Sequence, residues 1–269
     1  MPVLQLPDTD LHYETFGQGP AFLFNPATAW HGEAWKLHQV PEFSRDHMVI
    51  TYDPRGTGKS VTRGKDFSTR RLAADAAALL DHLGIKSTIA LGHSNGGRIA
   101  QTLATEYPDR VNKLILASSG ATHTGPAGVP IKMCIELVNK GYERYTLEHM
   151  LEVGFTKAYY EANREICDRF IKVRMSNLLP IENFLGYVVA RQESDTTARL
   201  KDIKAPTLVM VGDDEDHGSS GPTHLDFARL LADKIAGAKF VMLKGQGHHY
   251  LFVAPDMANK AIREFLAAS

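Results

Sequence analysis

Residues 92–96 read Gly-His-Ser-Asn-Gly, a match to G-x-S-x-G. The chemistry served by this spacing is attack by a serine hydroxyl on a carbonyl carbon. A strand ends, the chain turns sharply and a helix begins, so Ser94 is held in a strained conformation with its Oγ projecting. Gly92 and Gly96 carry no side chains, which lets the strand and helix backbones pass closely. The N–H of Asn95 then points to where a tetrahedral oxyanion would form, and the helix N-terminus adds a favourable field. "STIAL" before the motif is strand-like and "RIAQTLATEY" after it is helix-like. The competing reading is a glycine-rich turn with an incidental serine, and the strand-turn-helix context weighs against it.

A serine hydroxyl is a poor nucleophile at neutral pH; it needs a base, and the base needs an orienting acid. "LKGQGHHY" at 243–250 follows the last apolar run and precedes a final helical stretch. His248, directly after Gly247, is the expected base, with His249 as its competitor. "VMVGDDEDHG" at 209–218 offers four carboxylates, Asp213, Asp214, Glu215 and Asp216. Crowded carboxylates repel one another, so three of them are bystanders. Counting back from the helix that ends near Ile235 favours Asp216. Counting forward from Gly212 leaves Asp214 or Glu215 open. Asp216 is the choice, with Asp214 in reserve.

A second glycine-bearing stretch, "DPRGTGKS" at 53–60, ends like a phosphate-binding loop. That loop requires G-x-x-x-x-G-K-[ST], and the position of the first glycine is Asp53, whose charge would repel phosphates. The motif should also run directly into a helix. Here "VTRGKDF" intervenes, and a helix is expected only from about Ser68.

The elements that must position these residues are readable from periodicity. Leu4 and Leu6, then Leu11, Tyr13 and Thr15, flank a "PDTD" turn and predict an antiparallel hairpin. Apolar runs at 21–24, 48–52, 88–91, 114–117, 207–211 and 240–243 fit strands buried on both faces. Helical stripes fall at 68–83, with Leu72, Ala76, Leu79, Leu80 and Leu83 on one side, and at 96–107, 222–235 and 255–267. This alternation predicts an α/β fold with a doubly wound, mostly parallel sheet. About eighty residues between Ala117 and Thr207 carry helical patterns and no clear strand. They are expected to form a helical cap, 121–200, inserted between core segments 1–120 and 201–269. Met133, Ile135, Leu137, Leu151, Phe155, Tyr159, Phe184 and Tyr187 there are expected mainly to pack the cap onto the core, a few lining a pocket.

Composition excludes several classes. The chain has 269 residues, 43% apolar and 23% charged, with a net charge of −1. That is an ordinary globular balance without a nucleic-acid footprint. The N-terminus has neither a basic start nor a long apolar run, and no stretch approaches the ~20 apolar residues that span a bilayer. The only cysteines, Cys134 and Cys167, make neither a metal cluster nor a disulfide scaffold, so buried thiols and a cytoplasmic location are expected.

With "FLFNPATAW", "YDPRGTGKS", "LGHSNGG", "PTLVMVGDDED" and "GQGHH" in place, the sequence resembles the α/β-hydrolase superfamily over essentially its whole length. The resemblance implies that fold and the chain order serine, acid, histidine, which Ser94, Asp216 and His248 satisfy. It implies that residues 53–60 are a structural turn whose charged residues bond locally. Family members commonly carry His-Gly after the first parallel strand, and the next residue donates the second oxyanion N–H. Here the site reads Asn25-Pro26-Ala27, and since Pro26 has no N–H, the role passes to Ala27 beside Asn95. The 3-oxoadipate enol-lactonases are similar in the asparagine and in their Gly-Lys-Ser turn. The resemblance therefore implies a serine hydrolase acting on a small ester or lactone, without cofactor or metal. Its partner is a small molecule rather than nucleic acid or membrane, and a homodimer is left open. Carbon–carbon bond hydrolysis, perhydrolysis and a small-molecule receptor on the same fold are the alternatives. A dicarboxylate-derived lactone would want an arginine in the pocket. Arg144, Arg164, Arg169, Arg174 and Arg191 in the cap are the candidates.

Overall fold

The computed structural model describes residues 2–122, 136–213 and 223–268. The alternating N-terminal segment folds as β1 (Val3–Leu6) and β2 (Thr9–Phe16), paired antiparallel around Pro7-Asp8. The continuous apolar runs become β3 (Ala21–Asn25), β4 (Met48–Tyr52), β6 (Thr88–His93), β7 (Val111–Ala117), β8 (Thr207–Gly212) and β9 (Lys239–Leu243). A two-residue β5 (Val61–Thr62), which periodicity cannot detect, pairs with β2. Strand order is β1-β2-β4-β3-β6-β7-β8-β9, parallel from β4 to β9. The fold is thus a doubly wound, mostly parallel sheet.

Side-chain alternation divides the core into two layers. Leu23, Ile50, Ala90, Leu114 and Val209 face one way, against Leu72, Ala76, Leu79 and Leu80 of α2 (Thr69–His82) and Ile99 and Leu103 of α3 (Asn95–Glu106). Phe22, Phe24, Leu91, Ile115 and Met210 face the other way, against Ala258, Ile262 and Phe265 of α10 (Pro255–Ala267). Two short helices, α1 (Gln39–Phe43) and α9 (Tyr250–Val253), were not legible as stripes because each is about one turn long.

Between β7 and β8 the described residues are helical: α4 (Tyr142–Val153), α5 (Lys157–Ala162), α6 (Arg164–Met175) and α7 (Ile181–Glu193). Met150, Phe155, Cys167 and Phe170 join the second core layer. Leu179 and Tyr187 join the first. Leu137, Phe155 and Tyr187 are therefore packing residues, whereas Leu151 is exposed and Tyr159 and Phe184 are half-buried. Met133, Ile135 and Cys134 lie outside the described residues. Cys167 is a buried free thiol, its pKa pushed up to about 11 by desolvation. Among the described residues no helix is long and apolar enough to cross a membrane.

Residues 53–60 form a turn, not a phosphate cradle. Asp53 accepts from the N–H of Gly32 and of Lys59, both at 2.7 Å. A Cβ on Gly58, at φ +51°, would sit 2.3 Å from that carboxylate. Arg55 is fully buried and grips Asp75 of α2 through Nε at 2.7 Å and Nη2 at 2.8 Å. Its Nη1 reaches Asp8 at 2.9 Å. The Tyr187 hydroxyl of α7 donates to the Arg55 carbonyl at 2.9 Å. The turn therefore locks the β1–β2 hairpin, α2 and the helical segment together.

Candidate active site

Parallel strands end together at one sheet edge, where open α/β sheets place their ligands. The register pairs Asn25 with Gly92, His93 with Ala117, and Gly212 with Leu243. Ser94 follows β6 at φ 55° and ψ −118°, left-handed backbone that a side chain strains to adopt. Three bonds hold it. Its N–H donates to the Ala117 carbonyl at 2.8 Å, and its carbonyl accepts from Gly97 N–H at 3.0 Å and from Ser119 Oγ at 2.7 Å. The glycines are sterically required. A Cβ on Gly92 would lie 2.2 Å from the Gly96 carbonyl oxygen, and one on Gly96 would lie 2.0 Å from that of Asn25.

That last approach seats the 25–27 loop directly on the elbow. Asn25 is fully buried; its Nδ2 donates to the Leu91 carbonyl at 3.0 Å and its Oδ1 accepts from the Tyr52 hydroxyl at 2.9 Å. The amide thus ties β3 to both neighbouring strands. Ala27 and Asn95 are both buried at this junction. The Ala27 carbonyl accepts from Trp30 N–H at 3.1 Å, which closes the loop over the elbow.

The loop after β9 brings the two histidines to the same edge. The His248 ring centre lies 4.9 Å from that of His93, the residue preceding Ser94, and 4.6 Å from that of His224. The His248 carbonyl accepts from His93 Nε2 at 2.8 Å. A carbonyl can only accept, so His93 carries a proton on Nε2. Burial holds its pKa well below the usual histidine range. His249 is boxed by Trp30, Phe155 and Phe170 at 4.9–5.9 Å, and its Nδ1 is enclosed without a partner. Desolvation keeps it neutral. His249 thus packs among aromatic rings, and the His248 ring is the nearer of the two to His93, at 4.9 Å against 5.8 Å.

The acid loop begins against the histidine loop. A Cβ on Gly212 would meet the Gln246 carbonyl oxygen at 2.1 Å. Asp213 is exposed, and its carboxylate accepts from Gly245 N–H at 2.6 Å, capping the turn that precedes His248. Asp214, Glu215 and Asp216 lie outside the described residues.

Sequence reasoning missed His93 and His224, because neither spacing nor periodicity marks a histidine that only neighbours a site. His93, His248 and His249 bring ring nitrogens within 4.8 Å of one another. His93 Nε2 is committed to a carbonyl, and the aromatic box around His249 accounts for that ring, so these two histidines read as packing beside His248.

Comparison with known proteins places the chain in context. Residues 20–137 match the family model described as the alpha/beta hydrolase fold. A 3-oxoadipate enol-lactonase of Acinetobacter baylyi is 31% identical over 79% of this chain and 80% of its own length. A non-heme haloperoxidase of Rhodococcus erythropolis is 25% identical over 99% of both chains. The crystal structure of the enol-lactonase from Burkholderia xenovorans superposes with a TM-score of 0.86 at 25% identity, over 99% of this chain and 100% of that one.

Proposed function

This chain belongs to the α/β-hydrolase superfamily, and on that premise we propose that it cleaves small esters or lactones by acyl transfer through Ser94. The observation that carries the reading is the elbow itself. A serine in left-handed backbone, between two glycines that tolerate no Cβ, keeps partial access to solvent at the C-terminal edge of the sheet. Strain of roughly 1–3 kcal/mol persists where the surrounding structure enforces it, and such residues cluster at active sites.

His248 takes the proton from Ser94 Oγ as the oxygen attacks the substrate carbonyl. The tetrahedral oxyanion is held by the N–H groups of Ala27 and Asn95; such a donor typically contributes about 10²–10³ in kcat. Asp216 orients the His248 ring and stabilises its protonated form, with Asp214 and Glu215 as the other carboxylates of that loop. Protonated His248 gives its proton to the leaving alkoxide as the C–O bond breaks. Water, deprotonated by the same histidine, then attacks the acyl-serine, releasing the acid and restoring Oγ–H. The helical segment between β7 and β8 acts as a cap on the core and sets which acyl groups reach this edge.

A second reading, perhydrolysis, is favoured by the Rhodococcus relative's name. Hydrogen peroxide in place of water would release a peracid from the same acyl-serine. Both readings are tested by turnover of short-chain esters and five- and six-membered lactones, with and without peroxide. Hydrolysis of at least one at kcat above about 1 s⁻¹ is expected, within the usual enzyme range. Tight retention of such compounds without turnover would instead mark a receptor.

A further inference from the structure

On the reading of Ser94 as nucleophile, we propose that Ser119 is a positioning residue for the oxyanion donor: its hydroxyl aims the Asn95 N–H by holding the carbonyl of Ser94. That carbonyl and that N–H belong to one planar trans peptide unit, so they point in opposite directions and turn together. Whatever grips the carbonyl therefore sets the direction of the N–H. Ser119 Oγ donates to the Ser94 carbonyl at 2.7 Å, and the Gly97 N–H donates to it at 3.0 Å. Gly97 also makes room for the first of these bonds, since a Cβ there would stand 2.3 Å from Ser119 Oγ.

The local backbone does not hold this orientation by itself. Ser94 stands at φ 55° and ψ −118°. The left-handed well at such a φ is centred on a ψ of about +47°. Relaxing into that well would turn the peptide over and carry the Asn95 N–H away from the oxyanion. The Gly97 bond belongs to the first turn of α3, and helix ends fray. Ser119 comes from a different element, two residues beyond β7, and gives the peptide a reference outside the helix.

Ser119 is itself held on both sides. The preceding Ser118 sits at φ 48°, and its N–H donates to the Met210 carbonyl of β8 at 2.8 Å. The Gly120 carbonyl that follows accepts from Arg98 Nε at 3.2 Å and Gln101 Nε2 at 3.3 Å, both on α3. Thr196, beyond the far end of the helical segment, returns to the same place. Its N–H donates to the Ala121 carbonyl at 2.9 Å, and its hydroxyl donates to Gln101 Oε1 at 2.7 Å. Both ends of the segment between β7 and β8 thus meet beside the elbow, and Ser119 ties that junction to the Ser94 peptide. Ser119, Gln101 and Thr196 are buried, so little water can replace a lost hydroxyl. An N–H aimed in advance needs no reorganisation when negative charge develops, which is where such a donor gains its effect.

The test separates aiming from mere packing by pairing an ester with a tetrahedral analogue. With trifluoroacetophenone, Oγ adds to the carbonyl carbon, the π pair moves to oxygen and the Oγ proton passes to His248. The product carries its oxyanion where the transition state does. Ser119→Ala should lower kcat for p-nitrophenyl acetate by about 10-fold with KM changed less than about twofold. The inhibition constant of trifluoroacetophenone should rise by the same factor. A purely structural serine would lower the urea midpoint and leave both constants of the folded protein unmoved, a result that overturns the proposal. So does a higher KM at constant kcat, or a lower kcat with the inhibition constant unchanged. Ser119→Cys, of nearly equal size and a far weaker donor, gives the same readouts should the alanine variant not fold. A wild type that neither hydrolyses the ester nor binds the ketone removes the hydrolase reading and this role together. A wild type that does both, beside an unaltered Ser119→Ala, removes only the role of Ser119.

Discussion

Exchanging Ser94 for alanine should, on the proposed mechanism, lower kcat for ester hydrolysis by about 10⁴–10⁶ while leaving KM and the fold nearly unchanged. The loss would be large because the proposed mechanism makes Oγ the atom that forms the covalent bond; the base would have nothing left to deprotonate. A residual rate above that in water should survive, because the N–H groups proposed for the oxyanion, those of Ala27 and Asn95, would still bind the one formed by direct attack of water. Stability should be retained, since the three bonds that hold residue 94 use its backbone N–H and carbonyl. Steady-state kinetics together with a urea melt check both halves. A fall in kcat of less than about tenfold would move the nucleophile elsewhere.

The second large effect concerns stability. Arg55→Met should destabilise the fold by about 3–5 kcal/mol, because it strands the Asp75 carboxylate in the interior without its partner. Asp75 is almost wholly buried, and desolvation already pushes its pKa up against the pull of Arg55. Asp8, held at about 2 chiefly by its hydrogen bond from Arg55, is a third exposed and can fall back on water and Arg71. A loss of this size is a large share of the roughly 5–15 kcal/mol that holds a domain folded. It reads out as a lower urea midpoint at unchanged slope. The double variant Arg55→Met with Asp75→Leu should recover most of it, since two well-packed apolar groups replace the ion pair. A change below about 1 kcal/mol in the single variant would contradict the structural role assigned to this turn.

Those two residues also mark how much was legible in the sequence. The sheet was readable because a strand buried on both faces is largely apolar at consecutive positions, and β3, β6 and β8 are buried at every position. The elbow was readable because its glycines are demanded by the backbone itself, and the coordinates show why: neither Gly92 nor Gly96 leaves room for a Cβ. Asp53 could be recognised as wrong for phosphate, but not as the acceptor for Gly32 and Lys59, because that bond spans an irregular turn. The difference between His248 and His249 is set by packing. Trp30 and Phe170, more than 75 residues away in the chain, enclose the His249 ring. The arginines of the helical segment look alike as letters; only the docking of α6 turns Arg174 inward while Arg164 and Arg169 stay outside. Long-range packing of this kind leaves no periodic trace.

The central claim is that Ser94 and His248 act as one nucleophilic unit. It is tested most directly by fluorophosphonate labelling of the wild type and of His248→Gln, with the adduct mapped by peptide mass spectrometry. The account predicts a single phosphonylated peptide carrying Ser94 in the wild type, and labelling slowed at least about 10³-fold in His248→Gln. An adduct on any other residue, or equal labelling rates in the two proteins, would contradict it.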